Sequence, residues 1–483
     1  MPKGLTVAAL SLTLCVFAGC GGAPFTGSLT DGPGNGSGPT PPAGQAEISS
    51  ISPSSVPAGS PAFTLTATGT NFVQSTAILW NSTTLTTTYV SATEIQAQVP
   101  ASLVATPTFV SIIPTPQVTL NFGASFTVSI PPLTGNPVYG VSMVPVEASD
   151  MVLDPATQQI YLSTTSYNAT NANSILPLDP QTVKLGAAVS TTTQPSRLAI
   201  SSDSSYLYAS LNTTFSVQRF TLPALQPDIS IPLGSGSLGP YYAIDVEPDP
   251  ISPHTIAVSR GVIGMSPKEL GGVLLYDDAV ARPQSVAGTS PGPGPIDELR
   301  WNTNGQALYG ADTETTANGF YLMSVTSSGV QLASTTQPAI STSGGHIHFD
   351  STTGYVYTDS GQIIDPATST VVGTFPFSAV QGGLRSSVMV TDGKLNIAYF
   401  VGQTTEEGGT SNYAIEAFDL THFTFLGAMP LTITNASGPP FKILRWGPDG
   451  LAILTGYPSQ VGSPSSGDGV YLVTGAFVTS PAP

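Results

Sequence analysis

A short phrase recurs seven times between Met151 and Leu454, and it limits the folds that this chain can adopt. Each copy alternates apolar and polar residues, passes through a turn of Asp, Asn, Gly, Pro or Ser, and then alternates again, which is the pattern of a β-hairpin. The copies are MVLDPATQQIYLS, LAISSDSSYLYAS, IDVEPDPISPHTIAVS, LRWNTNGQALYGA, IHFDSTTGYVYTD, VMVTDGKLNIAYFV and LRWGPDGLAILTG.

The spacing of the copies predicts the architecture. The last apolar residue before each turn is Leu153, Ile200, Val246, Trp301, Phe349, Val390 and Trp446, with gaps of 47, 46, 55, 48, 41 and 56 residues. A second pair of strands follows each hairpin, starting near Ser174, Ser216, Gly272, Gly319, Gly361, Tyr413 and Gly469. Four strands per unit at this period predict a seven-bladed β-propeller over residues 135–476. Few residues follow the third strand of the seventh unit, so we expect the strand at Val138–Val144 to supply its fourth strand.

One copy of the phrase also carries a family likeness. LAISSDSSYLYAS, from Leu198, resembles the YVTN-type surface propeller repeat. The resemblance extends over the repeat alone, so it implies the fold and assigns no catalytic residue.

The N-terminus predicts export. Lys3 precedes an apolar stretch, Leu5–Phe17, of signal-peptide length. Phe17-Ala18-Gly19-Cys20 resembles a bacterial lipobox, although Phe17 stands where Leu is usual. The resemblance implies a signal peptide at 1–19, a lipid on Cys20 that attaches the chain to a membrane, and, with Gly21 next, the outer membrane, facing the periplasm or the cell surface. The alternative is an ordinary secretory signal. Residues 20–45, rich in Gly, Pro and Ser, form the expected flexible tether.

Residues 46–132 predict a second all-β unit. Short β-branched runs bounded by Pro, Gly and Asn are typical of an antiparallel sandwich. The segment resembles the IPT/TIG immunoglobulin-like family through the motifs Ile51-Ser52-Pro53, Pro57-Ala58-Gly59, Gly69-Thr70-Asn71-Phe72, Leu79-Trp80-Asn81, Ala92-Thr93-Glu94-Ile95 and Phe126-Thr127-Val128. The complete fold class is therefore all-β: an N-terminal immunoglobulin-like β-sandwich followed by a seven-bladed β-propeller.

Charge restricts the partners. Charged residues make up 8% of the chain, and 12 Lys and Arg stand against 29 Asp and Glu. Nucleic-acid binding needs clustered basic residues, which are absent from this sequence, so we expect no nucleic-acid partner. We also expect no cofactor.

Two arrangements are candidates for a metal site. His346 and His348 lie two apart on an expected strand, so both imidazoles face one way, with Asp350 as a third ligand. The alternative is two polar side chains lining a wet channel. Acidic or amide residues also recur near the turn of each unit, at Asp154, Asp203, Asp249, Asn304, Asp350, Asp392 and Asp449. A calcium ring is one interpretation, and we prefer the other, turn hydrogen bonds.

No catalytic constellation emerges from the sequence. The pairs Asp277-Asp278 and Glu406-Glu407 are sequence neighbours, whereas acid–base catalysis needs carboxylates opposed across a cleft. We expect a non-catalytic module that binds glycans or proteins, with the ligand-binding residues unknown. A lactonase-like or lyase-type enzyme and a structural component of an envelope assembly remain the alternatives.

Overall fold

The chain is nearly all-β in the part that the structure describes, as predicted. The computed structural model describes residues 45–481 except 58, 82, 106–107, 116–122, 130–138, 169, 268–270, 289–293, 314, 316–317, 337–344, 378–384, 406–410 and 457–466. Helix is confined, within these residues, to a 3-10 turn at Ala101–Val104 and one α-helical turn, α1 (Ala476–Thr479). None of the described helices is long and apolar enough to cross a membrane. The predicted signal peptide, Cys20, most of the predicted tether and the pair Glu406-Glu407 lie outside the described residues.

The N-terminal part is a two-sheet sandwich. Its strands are β1 (Glu47–Ser52), β2 (Ser55–Pro57), β3 (Phe63–Thr70), β4 (Ala77–Trp80), β5 (Thr83–Thr84), β6 (Thr87–Ser91), β7 (Glu94–Val99), β8 (Thr108–Thr115) and β9 (Ala124–Ser129). One sheet has the order β1-β3-β7-β6 and the other β2-β9-β8-β4-β5. Alternate residues of β3 and β7, including Leu65, Ala67 and Ile95, are buried in one cluster with residues of the second sheet, so each strand has one apolar face. Trp80 is a core residue, with its ring 4.8 Å from that of Phe126.

Seven four-stranded units follow the sandwich. The first three comprise β11 (Ala148–Leu153), β12 (Ile160–Thr164), β13 (Ser174–Asp179), β14 (Lys184–Leu185) and β15 (Val189–Ser190); β16 (Pro195–Ile200), β17 (Tyr206–Leu211), β18 (Ser216–Thr221) and β19 (Gln226–Pro232); and β20 (Ser235–Gly236), β21 (Gly239–Pro248), β22 (Thr255–Val262), β23 (Gly272–Asp277) and β24 (Val280–Val286). In the first unit β14 and β15 share the outer position beside β13, and in the third β20 forms a short hairpin with β21.

The remaining four units complete the set. They comprise β25 (Glu298–Trp301), β26 (Ala307–Ala311), β27 (Phe320–Thr326) and β28 (Gly329–Thr336); β29 (Ile347–Phe349), β30 (Val356–Thr358), β31 (Gln362–Asp365) and β32 (Thr370–Thr374); β33 (Arg385–Asp392), β34 (Ile397–Thr405), β35 (Ser411–Asp419) and β36 (Phe425–Leu431); and β37 (Pro440–Trp446), β38 (Gly450–Thr455) and β39 (Gly469–Gly475). The strands of each unit pair antiparallel in chain order, and a single parallel pair, Gln284 with Gly329, joins the third unit to the fourth.

The seventh unit takes its fourth strand from the other end of this region. β10 (Tyr139–Pro145) pairs antiparallel with β39 over its whole length, from Tyr139 opposite Gly475 to Pro145 opposite Gly469. The seventh sheet therefore contains both the strand that precedes the first unit and the last three strands of the chain.

Buried clusters join neighbouring sheets in the same order. Six clusters each combine residues of two consecutive sheets, and a seventh combines the last sheet with the first. That seventh cluster brings Val144, Met151, Trp446 and Leu472 together. Trp301 and Trp446 are both nearly fully buried in such clusters, so both tryptophans pack between sheets. Because each sheet buries apolar residues on both faces, no sheet could be stable alone.

The hairpin turns follow from the Asp and Asn residues of the repeated phrase. Six of the seven accept a backbone N–H two residues later: Asp154 from Ala156, Asp203 from Ser205, Asp249 from Ile251, Asn304 from Gln306, Asp350 from Thr352 and Asp392 from Lys394. These bonds support the turn interpretation of the acidic residues.

Truncating Val144 tests the pairing of β10. Val144 is 5% exposed and packs between the first and seventh sheets, whereas Val141 on the same strand is 42% exposed. We expect Val144→Ala to lower the free energy of unfolding by about 2 kcal/mol, and Val141→Ala by under about 0.5 kcal/mol. Urea unfolding monitored by tryptophan fluorescence measures both, since Trp446 lies in the same cluster. Equal effects of the two variants would contradict the packing described.

Candidate functional site

The first strands of all seven sheets line one cavity of about 320 Å³. We call it the first-strand cavity. It is lined by Asp150, Val152, Arg197, Leu198, Ala199, Ile200, Asp245, Val246, Glu247, Pro248, Arg300, His346, His348, Met389, Val390, Lys442, Ile443 and Leu444. Its size is at the lower end of the range for small-molecule sites, so it suits a compact ligand or one end of a larger one.

The cavity combines charged and apolar side chains because of how residues alternate along the first strands. On β21, Asp245 and Glu247 lie two apart and therefore share a face, while Val246 packs into the core between the second and third sheets. On β16, Arg197 alternates in the same way with Leu198, which packs between the first and second sheets. Most first strands thus present apolar residues to their neighbours and a polar residue to the cavity, whereas β33 contributes only Met389 and Val390.

Arg300 is at the centre of a cluster of carboxylates. Its guanidinium donates to Glu247 at 2.8 Å, to Glu298 at 3.1 Å and to Asp245 at 3.2 Å. Asp245 also accepts the backbone N–H of Leu299 at 2.9 Å, which ties the third sheet to the fourth. A guanidinium offers five N–H donors in a fixed plane, so it can hold three carboxylates at once.

A second guanidinium approaches the same cluster from the other side. Arg197 donates to Oε1 of Glu298 at 3.0 Å and to the carbonyl of Ile244 at 3.1 Å. Its Nη1 lies 3.5 Å from Nε2 of His346. Glu298 is almost fully buried and lies between two arginines, which compensates the cost of burying its charge.

The two histidines share one buried carboxylate. His346 Nδ1 and His348 Nε2 each lie 2.9 Å from an oxygen of Asp359. Asp359 also accepts the backbone N–H of His346 at 2.8 Å and that of Met389 at 3.0 Å. The carboxylate therefore fixes both imidazoles and joins the fifth sheet to the sixth.

The first and seventh sheets are joined by an ion pair. Asp150 on β11 accepts a hydrogen bond from the ammonium group of Lys442 on β37. The same carboxylate accepts the backbone N–H of Met151 and that of Leu198, both at 2.8 Å. Asp150 thus contacts the seventh, first and second sheets.

Burial and neighbouring charge shift several pKa values in the cavity. Burial raises the pKa of Glu247 to about 8, because Asp245 and Glu298 add to its effect and Arg300 offsets it only in part. Burial and the charge of Glu298 also raise the pKa of Asp245. Burial acts to raise the pKa of Glu298 as well, but the charges of His346, Arg197 and Arg300 outweigh burial and lower this pKa.

The two imidazoles shift in opposite directions. Burial disfavours the imidazolium form of His346, but the charge of Glu298 and the bond to Asp359 prevail and raise its pKa. For His348, burial lowers the pKa, and the charges of Arg300 and His346 keep it low despite Asp359.

The structure separates the residues of the metal hypothesis. His346 and His348 lie together, but Asp350 lies in the turn after β29, where its carboxylate accepts the backbone N–H groups of Thr352 and Thr353. Asp359, not Asp350, contacts both imidazoles. Among the described residues, no group of three or more His, Cys, Asp or Glu side chains has a geometry that could hold a metal ion. The metal site stays a prediction without support from these contacts.

The neighbouring carboxylates Asp277 and Asp278 point to different partners. Asp277 binds Arg282 and Thr255, and Asp278 binds Arg219 and His254. His422 pairs with Asp419 at 3.2 Å in an exposed turn. Neither arrangement opposes two carboxylates across a cleft.

Sequence reasoning missed Asp150, Arg197, Asp245, Glu247, Glu298, Arg300, Asp359 and Lys442. Most of them precede the turn within an otherwise apolar strand, for example Glu298 three residues before Trp301. A charged residue inside a buried strand is costly unless it is paired, so its position before the turn was the available signal.

Comparison with known proteins identifies one part of the chain. Residues 46–129 match the IPT/TIG domain family, which agrees with the sandwich of β1–β9. No curated protein matches the chain.

Removing Lys442 tests the ion pair between the first and seventh sheets. Lys442→Met leaves the buried Asp150 carboxylate without its cation, so we expect the free energy of unfolding to fall by about 2–4 kcal/mol. Lys184→Met, on the exposed strand β14, is the matched control and should change it by under about 0.5 kcal/mol. Denaturant unfolding measures both. A loss no larger than that of the control would show that the pair does not stabilise the fold.

The opposite pKa shifts of the two cavity histidines can be measured directly. The chain has four histidines, so histidine-labelled protein gives few NMR signals, and single substitutions to Gln assign them. We expect His346 to titrate above the ordinary value near 6.5 and His348 below it. A folded-state pKa that is raised stabilises the protein below the unfolded value and loses that effect as pH rises. His346 should therefore contribute most to stability below about pH 6.5. The reverse order of the two titrations would contradict the charge arrangement.

Proposed function

We propose that the protein is a cell-envelope lipoprotein whose seven sheets form a seven-bladed β-propeller that binds glycans or proteins without catalysis. The observation that carries the proposal is the first-strand cavity. Seven separate strands contribute to it, and its charged groups are held in place by one another before any ligand arrives. Preorganised polar groups in a small cavity favour selective binding, because little ordering remains to be done when the ligand enters.

The proposed propeller rests on two features of the sheets. The pairing of β10 with β39 places the first and last strands of the region in one sheet, and a buried cluster joins that sheet to the first unit. A closed set of sheets has no free edge that would pair with another chain.

The proposed localisation rests on the N-terminal sequence. A lipid on Cys20 would hold the chain at the outer membrane, and residues 21–45 would act as the tether. The IPT/TIG domain would then separate the propeller from the membrane surface. The orientation, toward the periplasm or the cell surface, is part of the proposal that localisation experiments decide.

Binding is favoured over catalysis by the state of the ionisable groups. His346 could act as a general base oriented by Asp359, and this pair is what supports the enzyme alternative. However, Nε2 of His346 faces Arg197, and the carboxylates near it are engaged by arginines. A group held in ion pairs is a poor nucleophile or base, so this arrangement favours recognition.

Filling the cavity tests the proposal. Ala199 lines the cavity on the same face of β16 as Arg197. We expect full-chain protein to bind members of a glycan array or envelope proteins, and Ala199→Trp to weaken that binding at least tenfold by occupying the space. Val280→Trp, at a 70% exposed position on β24, is the control and should bind as the wild type does.

Three outcomes would contradict the proposal. Binding that survives in a folded Ala199→Trp variant would place the ligand elsewhere. Turnover of lactone or polysaccharide substrates that is lost in the same variant would favour the enzyme. A complex that forms through the IPT/TIG domain alone would favour the structural role.

A further inference from the structure

Five carboxylates meet three permanent cations in and around the first-strand cavity. The carboxylates are Asp150, Asp245, Glu247, Glu298 and Asp359, and the cations are Arg197, Arg300 and Lys442. Two histidines complete the group. The carboxylates therefore outnumber the permanent cations at this site.

Glu247 is the carboxylate of this group that its neighbours engage least. Its side chain is 27% exposed, whereas those of Asp150, Asp245, Glu298 and Asp359 are at most 8% exposed. Asp150, Asp245 and Asp359 each accept hydrogen bonds from at least two groups that do not bind Glu247. Glu298 lies between two arginines. Glu247 accepts a single bond at Oε1, from the guanidinium that also serves Asp245 and Glu298. Among the described residues, no donor is found for Oε2, and the side chain lines the cavity.

We propose that the first-strand cavity binds a ligand through a primary ammonium group, which pairs with the carboxylate of Glu247. This rests on the proposed binding function and names the chemistry of its ligand. An organic cation fits better than a metal ion, because no three side chains among the described residues are arranged as metal ligands. An amino sugar and a lysine side chain both present this group.

The proposal explains the ionisation of Glu247. Without a ligand, the groups that face it are Arg300, Lys442 and the carboxylates Asp245 and Glu298, and with burial they raise its pKa to about 8. At neutral pH Glu247 is therefore mostly protonated. An ammonium group beside it favours the carboxylate, so binding releases a proton.

Proton release gives the experiment a specific readout. Full-chain protein purified in detergent is titrated with n-butylammonium by calorimetry, in buffers of different ionisation enthalpy at pH 6, 7 and 8. We expect close to one proton released per ligand at pH 7 and an affinity that rises about tenfold per pH unit between pH 6 and 7. Glu247→Gln should weaken binding at least tenfold and abolish the proton release. Glu94→Gln, the same change in the sandwich, should leave both unchanged.

Paired ligands distinguish the sources of the ammonium group. Glucosamine is compared with N-acetylglucosamine, and Nα-acetyl-lysine amide with its Nε-acetylated form. Loss of binding on acetylation in either pair supports the proposal, and the tighter of the two amines indicates a carbohydrate or a peptide source. If Glu247→Gln does not fold, Glu247→Asp replaces it and should keep the proton release with weaker binding.

The inference and the function it rests on can fail separately. Equal binding of the acetylated ligands, preferential binding of acetate, or an unaltered Glu247→Gln variant would overturn the ammonium site. If a glycan or protein still binds and Ala199→Trp still blocks it, the binding function stands with a different ligand chemistry. If neither the screen nor the amines give binding, both are wrong.

Discussion

Carboxylates that cross from one sheet to the next hold the first strands together. A first strand is the inner edge of its sheet, so it has backbone N–H groups without a strand partner on that side. Asp150 accepts such a group from Leu198, Asp245 from Leu299 and Asp359 from Met389. A buried unpaired N–H costs about 1–3 kcal/mol, so each contact both removes that cost and fixes the spacing of two sheets. The cavity exists because these spacings are fixed.

The same carboxylates explain why a chain with few charges concentrates them inside. With 8% charged residues, the protein has little charge for its surface, yet Arg197, Arg300 and Lys442 account for three of its 12 Lys and Arg. Each carboxylate that pairs with a backbone N–H brings a negative charge into the interior. A cation must then lie beside that carboxylate, because an isolated buried charge is far more costly than a paired one. The arginines are therefore a consequence of the inter-sheet contacts, and together with Lys442 they keep the carboxylates at the cavity paired.

Much of the fold could be predicted from the sequence, because strands and turns leave local patterns. The third strand of each unit begins within two residues of the expected start, from Ser174 in the first unit to Gly469 in the seventh. The hairpin turns lie at the Asp and Asn residues of the repeated phrase, as expected. The cavity was harder to predict, since its groups come from seven strands and their pairing has no local signature. Glu247 shows the difficulty: with Pro248 and Asp249 it resembles an acidic loop, yet it ends a strand and lines the cavity. Arg300 is similar, because its neighbour Trp301 packs in the core while Arg300 faces the other way.

The two described parts of the chain are built differently, and this bears on which part carries which role. Every residue of the sandwich core lies between Ile48 and Val128, so that core is complete within one continuous segment. The sheets that follow have no such segment. Their seventh cluster needs Val144 and Leu472 together, and the cavity needs Asp150 and Lys442 together. A change at either end of this region therefore reaches the cavity through the seventh sheet. The cavity is accordingly a property of the whole set of seven sheets, whereas the core of the IPT/TIG domain needs only its own segment.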